Sequence, residues 1–306
     1  MKLGLCIPVT HPVGVPLLEK VASLGFEAVR VDLNNGATKA SHRKARRQLE
    51  ESIAVPGLEF DFLLFHGRMR HESGDPWLRG SMLLHVQDTL IKMRDAGILQ
   101  LQPHEMPLVE IGNEPDLAHE RWARDPRELA DVFAACFRVV RRGFSPRLRV
   151  LTPSVSNLNR RGLDYLREMF ATGVIPDEAE VAVHRYPHDG EPMKPHTGFR
   201  IREEEVDELL RIIGRRPFHV TEYGHASYQY RGRFTDDADI AEYYEQEVEF
   251  WRQQGAASLY LYQINSGRYA NEASDDEKRM ATYGIRNVSG QWKPIAERVR
   301  KIRGMT

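Results

Sequence analysis

The sequence contains few cysteines and no long apolar segment. Only two of its 306 residues are cysteines, Cys6 in a strand-like run and Cys136 in a helical one. We expect buried free thiols of a reducing compartment, although one disulfide could form if the fold brought them together. No stretch approaches the roughly 18 consecutive apolar residues of a membrane helix, and the first residues lack the features of a secretory signal. We therefore expect no membrane partner and a cytoplasmic location, or secretion if a signal once preceded this sequence.

An excess of charge of one sign is also absent. Lys and Arg together number 43 and Asp and Glu 44, which gives a formal net charge of −1. Without a positive field, nucleic acid is not expected as the main partner. The turn after the first apolar run, PVTHPVG, lacks the Gly-x-Gly-x-x-Gly pattern that binds a dinucleotide. The sequence therefore predicts no cofactor and no catalytic metal, and it does not indicate an oligomeric state.

Eight short apolar runs are typical of strands. Several are apolar at nearly consecutive positions, as parallel strands buried on both faces should be. The runs are Lys2 to Val9, Ala28 to Leu33, Leu58 to His66, Pro107 to Gly112, Arg149 to Thr152, Val181 to Tyr186, Pro217 to Thr221 and Ala257 to Ile264.

Helix-like segments with recognisable ends separate these runs. Pro16 opens one such segment and Gly25 closes it, whereas Asp125 and Pro126 supply an N-cap and a first-turn proline for another. Eight strand and helix units without a break in composition predict one (β/α)8 TIM barrel over residues 1–306. An open doubly wound sheet is the alternative, because one miscounted strand would convert one fold into the other.

Two glutamates follow apolar runs at the points where strands should end. They are Glu114, after LVEIGN, and Glu222, after FHVT. The active sites of such barrels lie at the carboxyl ends of the strands, and our count assigns these residues to the fourth and seventh strands. The two carboxylates can then face one another over a substrate. Paired carboxylates in a pocket indicate hydrolysis of a glycosidic bond.

The two segments around these glutamates resemble a known superfamily. LVEIGNEPDL resembles the Asn-Glu-Pro signature of the clan A glycoside hydrolases, and FHVTEYGHAS resembles their nucleophile strand. These enzymes are retaining (β/α)8 β-glycosidases, and the cellulase-like families five and thirty-nine are the most similar. The resemblance implies that Glu114 is the general acid/base and Glu222 the nucleophile. It also implies a β-linked glycan or glycoside as the partner.

The resemblance implies roles for five further residues. Asn113 would hydrogen-bond the 2-hydroxyl of the sugar in the −1 subsite, and Arg30 would steady the nucleophile and favour its ionised form. Tyr186 and His184 match the strand-six pair, with the tyrosine hydroxyl near the nucleophile. His66 resembles a strand-three histidine that lines the sugar site. A buried acid/base facing that anion should have a raised pKa and stay protonated.

The sequence departs from this superfamily in its eighth strand. Many members have a tryptophan there on which the −1 sugar stacks, whereas SLYLYQINSG has Gln263 and no tryptophan. Either Tyr262 or Tyr269 takes that stacking role, or the subsite is more polar. Further aromatic platforms could come from Trp77, Tyr223, Tyr228, Tyr230 and Phe234, although packing explains each of them equally well.

Other interpretations of the same residues stay open. Arg30 could simply pair with Asp32, and a lone histidine is more often a satisfied core residue than a ligand. The opening MKLGLCIPV resembles metal-dependent sugar isomerases and epimerases, for which His184, His188 and His196 could be ligands. A carbohydrate-binding barrel without catalytic activity is the non-enzyme alternative.

Overall fold

A computed structural model describes residues 1–8, 13–33, 39–64, 79–117, 125–186, 198–225, 237–266 and 282–303. Strands and helices alternate along these residues. The strands are β1 (Lys2–Ile7), β2 (Ala28–Asp32), β3 (Glu59–Leu63), β4 (Leu108–Glu110), β5 (Arg149–Leu151), β6 (Val181–Arg185), β7 (Phe218–Tyr223) and β8 (Ser258–Leu261). The α-helices are α1 (Val15–Ser23), α2 (Lys39–Ile53), α3 (Arg79–Asp95), α4 (Pro126–Arg138), α5 (Arg160–Ala171), α6 (Gly198–Ile213), α7 (Asp237–Gln253) and α8 (Pro294–Ile302).

The eight strands form one parallel sheet that closes on itself. Their order is β5-β4-β3-β2-β1-β8-β7-β6, and every ladder in it is parallel. Two parallel bridges, Leu151 with Glu180 and Val155 with Val183, join β5 to β6. The predicted (β/α)8 barrel is therefore confirmed, and the alternative of an open doubly wound sheet is wrong.

The helix ends follow the predicted local chemistry. Asp125 accepts a hydrogen bond from the backbone N–H of Arg127 at 2.8 Å, and Pro126 is the first residue of α4. Past α1, Gly25 has a φ of 94°, a left-handed conformation that glycine adopts without steric cost. These ends fix where each helix leaves the barrel.

Three of the predicted strand ends need correction. The eighth strand ends at Leu261 and not at Ile264. The seventh strand continues through Glu222 to Tyr223 and does not stop at Thr221. The fourth strand ends at Glu110, so Glu114 lies four residues beyond it in a segment that follows the next strand through a bridge between Asn113 and Ser154. The sequence could not reveal the end of the fourth strand, because the apolar run continues to Ile111 and Gly112, past the last hydrogen bond of the ladder.

The core has two layers with different chemistry. The outward faces of the strands and the inward faces of the helices share one apolar cluster that includes Leu5, Val29 and Leu18. Inside the barrel the side chains are largely polar. Both cysteines are buried free thiols, as predicted. Among the described residues, no helix has the length and hydropathy needed to span a membrane.

Candidate active site

Arg30 on β2 is the centre of the polar cluster at the carboxyl ends of the strands. Its side chain is 1% exposed, and a guanidinium has five N–H donors. Nε donates to Glu110 at 2.7 Å, and Nη2 donates to Glu110 at 3.2 Å and to Asn113 at 2.9 Å. Nη1 donates to Glu222 at 2.7 Å and to Asp32 at 3.5 Å. All five donors therefore point at acceptors.

Glu222 on β7 is held at both carboxylate oxygens. Oε1 accepts from Arg30, and Oε2 accepts from the Tyr186 hydroxyl. Side-chain exposure of Glu222 is 9%, so one edge of this buried anion reaches the mouth of the barrel. Because a cation and a hydroxyl both contact it, the carboxylate is stabilised in its charged form.

Glu114 lies opposite, in a backbone conformation unusual for a residue with a side chain. Its φ is 49°, in the left-handed region, and its N–H donates to the carbonyl of Ser154 at 2.8 Å. Such conformations persist where the surrounding structure fixes them, and they are common at functional sites. Here the conformation follows Gly112, whose φ is 103°, and it directs the carboxyl group toward β6.

His184 on β6 lies between the two glutamates. Its Nδ1 is 3.0 Å from Oε1 of Glu114 and 3.5 Å from Oε2 of Glu222. One oxygen of each glutamate and a nitrogen of this histidine all lie within 4.8 Å of one another. The two carboxylates that were predicted to face one another are therefore brought together by the fold.

Burial and neighbouring charges shift the pKa values of these groups. Burial raises the pKa of Glu114, and the hydrogen bond and positive charge of His184 only partly offset it. For His184, burial lowers the pKa, but the charges of Glu222 and Glu114 outweigh burial and the net direction is upward. Burial also raises the pKa of Tyr186, so its hydroxyl stays a donor to Glu222. A raised pKa for a buried Glu114 was expected from the sequence, and burial does raise it.

The Asn113 side chain has a defined orientation. Its Oδ1 accepts from Nη2 of Arg30 at 2.9 Å and from the Ser154 hydroxyl at 3.5 Å. The amide oxygen is thus occupied on the Arg30 side, which leaves Nδ2 as the group able to donate to a ligand.

The end of β8 carries two of the predicted residues. Tyr262 and Gln263 are partly buried, and the peptide bond between them is cis. The ring of Tyr262 meets that of Tyr186 edge-on at 6.0 Å, and Tyr283, which we did not predict, contacts both rings at 6.0 and 5.4 Å. A Cβ on Gly224 would lie 2.7 Å from Tyr283 and 2.9 Å from Tyr186, so glycine is needed behind this aromatic group.

Several predicted residues are not at the site or cannot be placed. Tyr223 is fully buried and packs against Tyr243 and Tyr244, so it is not a sugar platform. The predictions that fall outside the described residues are those for His66, Trp77, His188, His196, Tyr228, Tyr230, Phe234 and Tyr269.

Sequence reasoning missed Glu110 and Asn157. Glu110 has no exposed surface and binds Arg30 through two hydrogen bonds. A glutamate within the apolar run LVEIG should have been a signal, since a buried carboxylate needs a partner. Asn157 holds the backbone of Tyr186 through its amide, at 2.9 Å to the carbonyl and 3.3 Å to the N–H. No sequence pattern indicates that contact, because it joins two separate loops.

The cluster of Glu114, His184 and Glu222 also has the atom types of a metal site. Its fit to a dication is poor, however, because both Glu222 oxygens already accept hydrogen bonds, one of them from the guanidinium of Arg30. A cation bound there would face that positive charge at short range. The described residues of this cluster therefore fit a divalent metal ion poorly.

Comparisons with solved structures return glycoside hydrolases. The exo-β-1,4-mannosidase Op5Man5 from Opitutaceae bacterium strain TAV5 matches with a TM-score of 0.70 and 15% identity over 99% of this chain, which spans 59% of that protein. A GH5_18 protein from Bifidobacterium longum bound to Manβ1-4GlcNAc matches with a TM-score of 0.71 and 13% identity over 99% of this chain and 78% of that one. The (β/α)8 fold of this chain is therefore shared with solved glycoside hydrolases.

A third match extends this likeness of fold over nearly the whole of both chains. A GH10 endoxylanase from a sugarcane soil metagenome matches with a TM-score of 0.60 and 13% identity, over 99% of this chain and 97% of that one. No protein-family profile matches the sequence, and no curated protein sequence matches it. At these identities the comparisons establish the fold.

Proposed function

We propose that this protein is a retaining glycoside hydrolase that cleaves β-glycosidic bonds, with Glu114 as acid/base and Glu222 as nucleophile. The observation that carries the proposal is the approach of the two carboxyl groups, whose facing oxygens lie within 4.8 Å of one another with His184 between them. Retaining pairs lie about 5–5.5 Å apart, whereas inverting pairs need about 6.5–9.5 Å to admit a water molecule. The short approach favours double displacement.

The surroundings of each carboxyl group support the assignment of roles. Glu222 is fixed by Arg30 at 2.7 Å and by the Tyr186 hydroxyl, which suits an ionised nucleophile that must not move. Glu114 has a raised pKa and contacts His184, which suits an acid that keeps its proton near neutral pH. Two carboxyl groups with different environments divide the acid and nucleophile roles between them.

In the first step, the Glu222 carboxylate attacks the anomeric carbon as Glu114 donates its proton to the glycosidic oxygen. The leaving group departs as an alcohol, and a covalent glycosyl ester remains on Glu222. In the second step, Glu114 removes a proton from water, the water oxygen attacks the same carbon, and the ester bond to Glu222 breaks. The sugar leaves with its β-configuration retained, and both glutamates return to their starting protonation states.

The substrate class follows from the similar structures and is part of the proposal. Those structures include a mannosidase, a xylanase and an active-site mutant of a β-1,3-glucanosyltransferase bound to laminaritriose. We therefore propose a β-linked glycan or glycoside and place aryl β-mannosides, β-xylosides and β-glucosides first in a screen, followed by mannan, xylan and β-glucan. Hydrolysis of any one of them would name the sugar.

The central test replaces the nucleophile. Glu222→Ala should lower kcat on an activated aryl β-glycoside by about 10⁴-fold or more, because no covalent ester can form. Azide should restore turnover and give the α-glycosyl azide, since it attacks from the face that Glu222 occupied. Product configuration by NMR and initial rates measure both effects.

A matched control separates this loss from general damage. Glu249→Ala removes an exposed glutamate on α7 that contacts Arg252 and Gln253 on the same helix, and it should leave kcat unchanged. Near-normal activity of Glu222→Ala, or a β-azide from it, would show that Glu222 is not the nucleophile.

A metal-dependent sugar isomerase is the second candidate, and the Glu114, His184 and Glu222 cluster is the observation in its favour. EDTA distinguishes the two. The glycosidase should keep full activity in EDTA, because no step above passes through a cation. An enzyme that loses all activity in EDTA and regains it with a divalent ion would support the isomerase.

A further inference from the structure

We propose that Glu110 is a positioning residue that sets the orientation of the Arg30 guanidinium, so that Nη1 reaches the nucleophile and Nη2 reaches Asn113. The inference rests on the proposed function, because it concerns how Glu222 and Asn113 are prepared for catalysis. It adds a residue for which neither the sequence motifs nor the comparisons gave a role. Glu110 does not touch the reacting atoms and acts through Arg30.

The first part of the argument is the geometry of the pair. Glu110 takes the Nε edge of the guanidinium with two roughly parallel hydrogen bonds, at 2.7 and 3.2 Å. Such a fork fixes both the position and the plane of the guanidinium. Neither side chain has more than 1% exposure, so water cannot replace the contact. Once the Nε edge is held, the directions of the other three N–H groups follow.

The second part is what those three N–H groups contact. One on Nη2 meets Oδ1 of Asn113, and this contact leaves Nδ2 of that amide as its donor for a ligand. One on Nη1 meets Oε1 of Glu222 at 2.7 Å. The third points at Asp32, at the longer distance of 3.5 Å. The two hydrogen bonds to Glu110 therefore fix the Arg30 groups that contact Asn113 and Glu222.

Charge is the competing explanation for the presence of Glu110. In this explanation, Glu110 does no more than offset the positive charge of Arg30, as Asp32 does from the other side. The two explanations differ in what they predict for Glu222. Removing a negative charge alone should make the Glu222 anion more stable, whereas releasing Arg30 from its fork should take away the cation that stabilises it.

The pH profile distinguishes them because other charges surround Glu222 from several strands. The ionisable groups that face it or its arginine are Cys6 on β1, Arg30 and Asp32 on β2, Asp61 on β3, Glu110 on β4, Glu114 beyond β4, His184 on β6, Tyr186 beyond β6, and Tyr262 beyond β8. Each substitution below changes one of these groups and leaves the others in place.

The experiment compares three variants with wild type in kcat, KM and the acidic limb of kcat/KM. Glu110→Asp keeps the charge but is one methylene too short for the fork. Glu110→Gln keeps the size but presents an NH₂ group to an N–H donor. Both should lower kcat by about 100-fold, as expected for a misplaced active-site group, and move the acidic limb to higher pH. Asp32→Asn removes a charge without breaking the fork and should move that limb to lower pH.

The result is decisive in each direction. A shift to lower pH in Glu110→Gln, together with an unchanged Glu110→Asp, would show that only the charge matters. Unchanged kcat and pH limbs in both Glu110 variants would show that the fork has no catalytic consequence. If Glu110→Gln does not fold, Glu110→Asp alone decides, because it retains the buried charge. Wild-type protein that hydrolyses no glycoside would refute the proposed function instead.

Discussion

Each end of the barrel interior contains an arginine that binds carboxylates, Arg30 buried at the carboxyl end and Arg149 partly exposed at the amino end. The charges around the arginine are balanced at the amino end and unbalanced at the carboxyl end. At the amino end, Arg149 binds Glu180 through two hydrogen bonds of 2.7 Å, and Lys2 binds Glu59 at 2.6 Å. His219 completes this network with a contact of 2.7 Å to Glu180. The two cations thus meet two carboxylates.

At the carboxyl end, one arginine contacts three carboxylates. Arg30 contacts Glu110, Glu222 and Asp32, and Glu114 lies just beyond them. A buried excess of negative charge is costly, and a fold retains it where the chemistry needs it. In (β/α)8 barrels the carboxyl ends hold the active site and the amino ends contribute stability. The charge balance of the two ends follows that division.

Glu114→Ala tests the carboxyl end and should have the largest effect of the three comparisons. Activity on a glycoside with a poor leaving group should fall by about 10²–10⁴-fold, because no acid protonates the departing oxygen. A dinitrophenyl glycoside should lose much less in the first step, since its leaving group needs no proton. The alkaline limb of the pH profile, which the raised pKa of Glu114 sets in the wild type, should disappear.

The thermal unfolding midpoint provides the second half of this test. Glu114→Ala keeps the left-handed backbone conformation but removes a carboxyl group that lies beside another carboxylate, so it should not lower the midpoint. A variant that loses stability and activity together, on good and poor leaving groups alike, would contradict the separation of the two ends.

The strand order and the approach of Glu114 to Glu222 could be predicted because each depends on local sequence. Parallel strands buried on both faces are apolar at nearly every position, and the motif around Glu114 occupies consecutive residues. The contacts of Arg30 could be predicted only in part. Its pairing with Glu222 was expected from the resemblance, whereas its two hydrogen bonds to Glu110 were not expected.

What escaped prediction depends on register and on distant loops. Glu110 faces inward because its register along β4 places it in line with Leu63 of β3, and the sequence alone does not fix that register. Tyr283 reaches Tyr186 from a segment nearly one hundred residues further along the chain. The exact ends of β4 and β7 could not be predicted for a related reason, since the last hydrogen bonds of each strand depend on the adjacent strands.

Glu180→Gln tests the amino end and should affect stability without affecting activity. Burial raises the pKa of Glu180, but hydrogen bonds from His219 and Arg149 outweigh burial and lower it to about 2. A carboxylate with a lowered folded-state pKa stabilises the fold above its unfolded value of about 4.3 and loses that effect as pH falls through 2. Allowing for its partial exposure, the variant should be about 2 kcal/mol less stable at pH 7.

The stability gap between wild type and Glu180→Gln should therefore close as the pH is lowered from about 4.3 toward 2. Unfolding measured at several pH values checks this, with Glu50→Gln as the control, because Glu50 forms an exposed pair with Arg46. The control should stay within about 0.5 kcal/mol of wild type. A fall in kcat for Glu180→Gln would mean that the two ends are coupled.

Asp61→Asn tests the layer between the two ends and should have the smallest effect at low pH. Asp61 is fully buried on β3, and within the described part of the chain neither carboxyl oxygen has a hydrogen-bond partner. Burial raises its pKa well above the ordinary value, and the charge of Glu110 raises it further against the opposing effect of Arg30. The folded protein therefore holds this group as a neutral acid, which an amide of the same size imitates. Near pH 4 the variant should lie within about 1 kcal/mol of wild type.

The sign of the difference should then change with pH. A group whose folded pKa is raised contributes stability below its unfolded value, about 3.9 for an aspartate, and that contribution is lost as pH rises through the folded pKa. The wild type must lose stability over this range, whereas the amide has no proton to release, so Asp61→Asn should become the more stable protein on moving from pH 4 to pH 8. An amide variant that is less stable at every pH would mean that Asp61 is ionised in the fold. In that case the excess of buried negative charge would extend below the active site, and Arg30 would have to offset one carboxylate more.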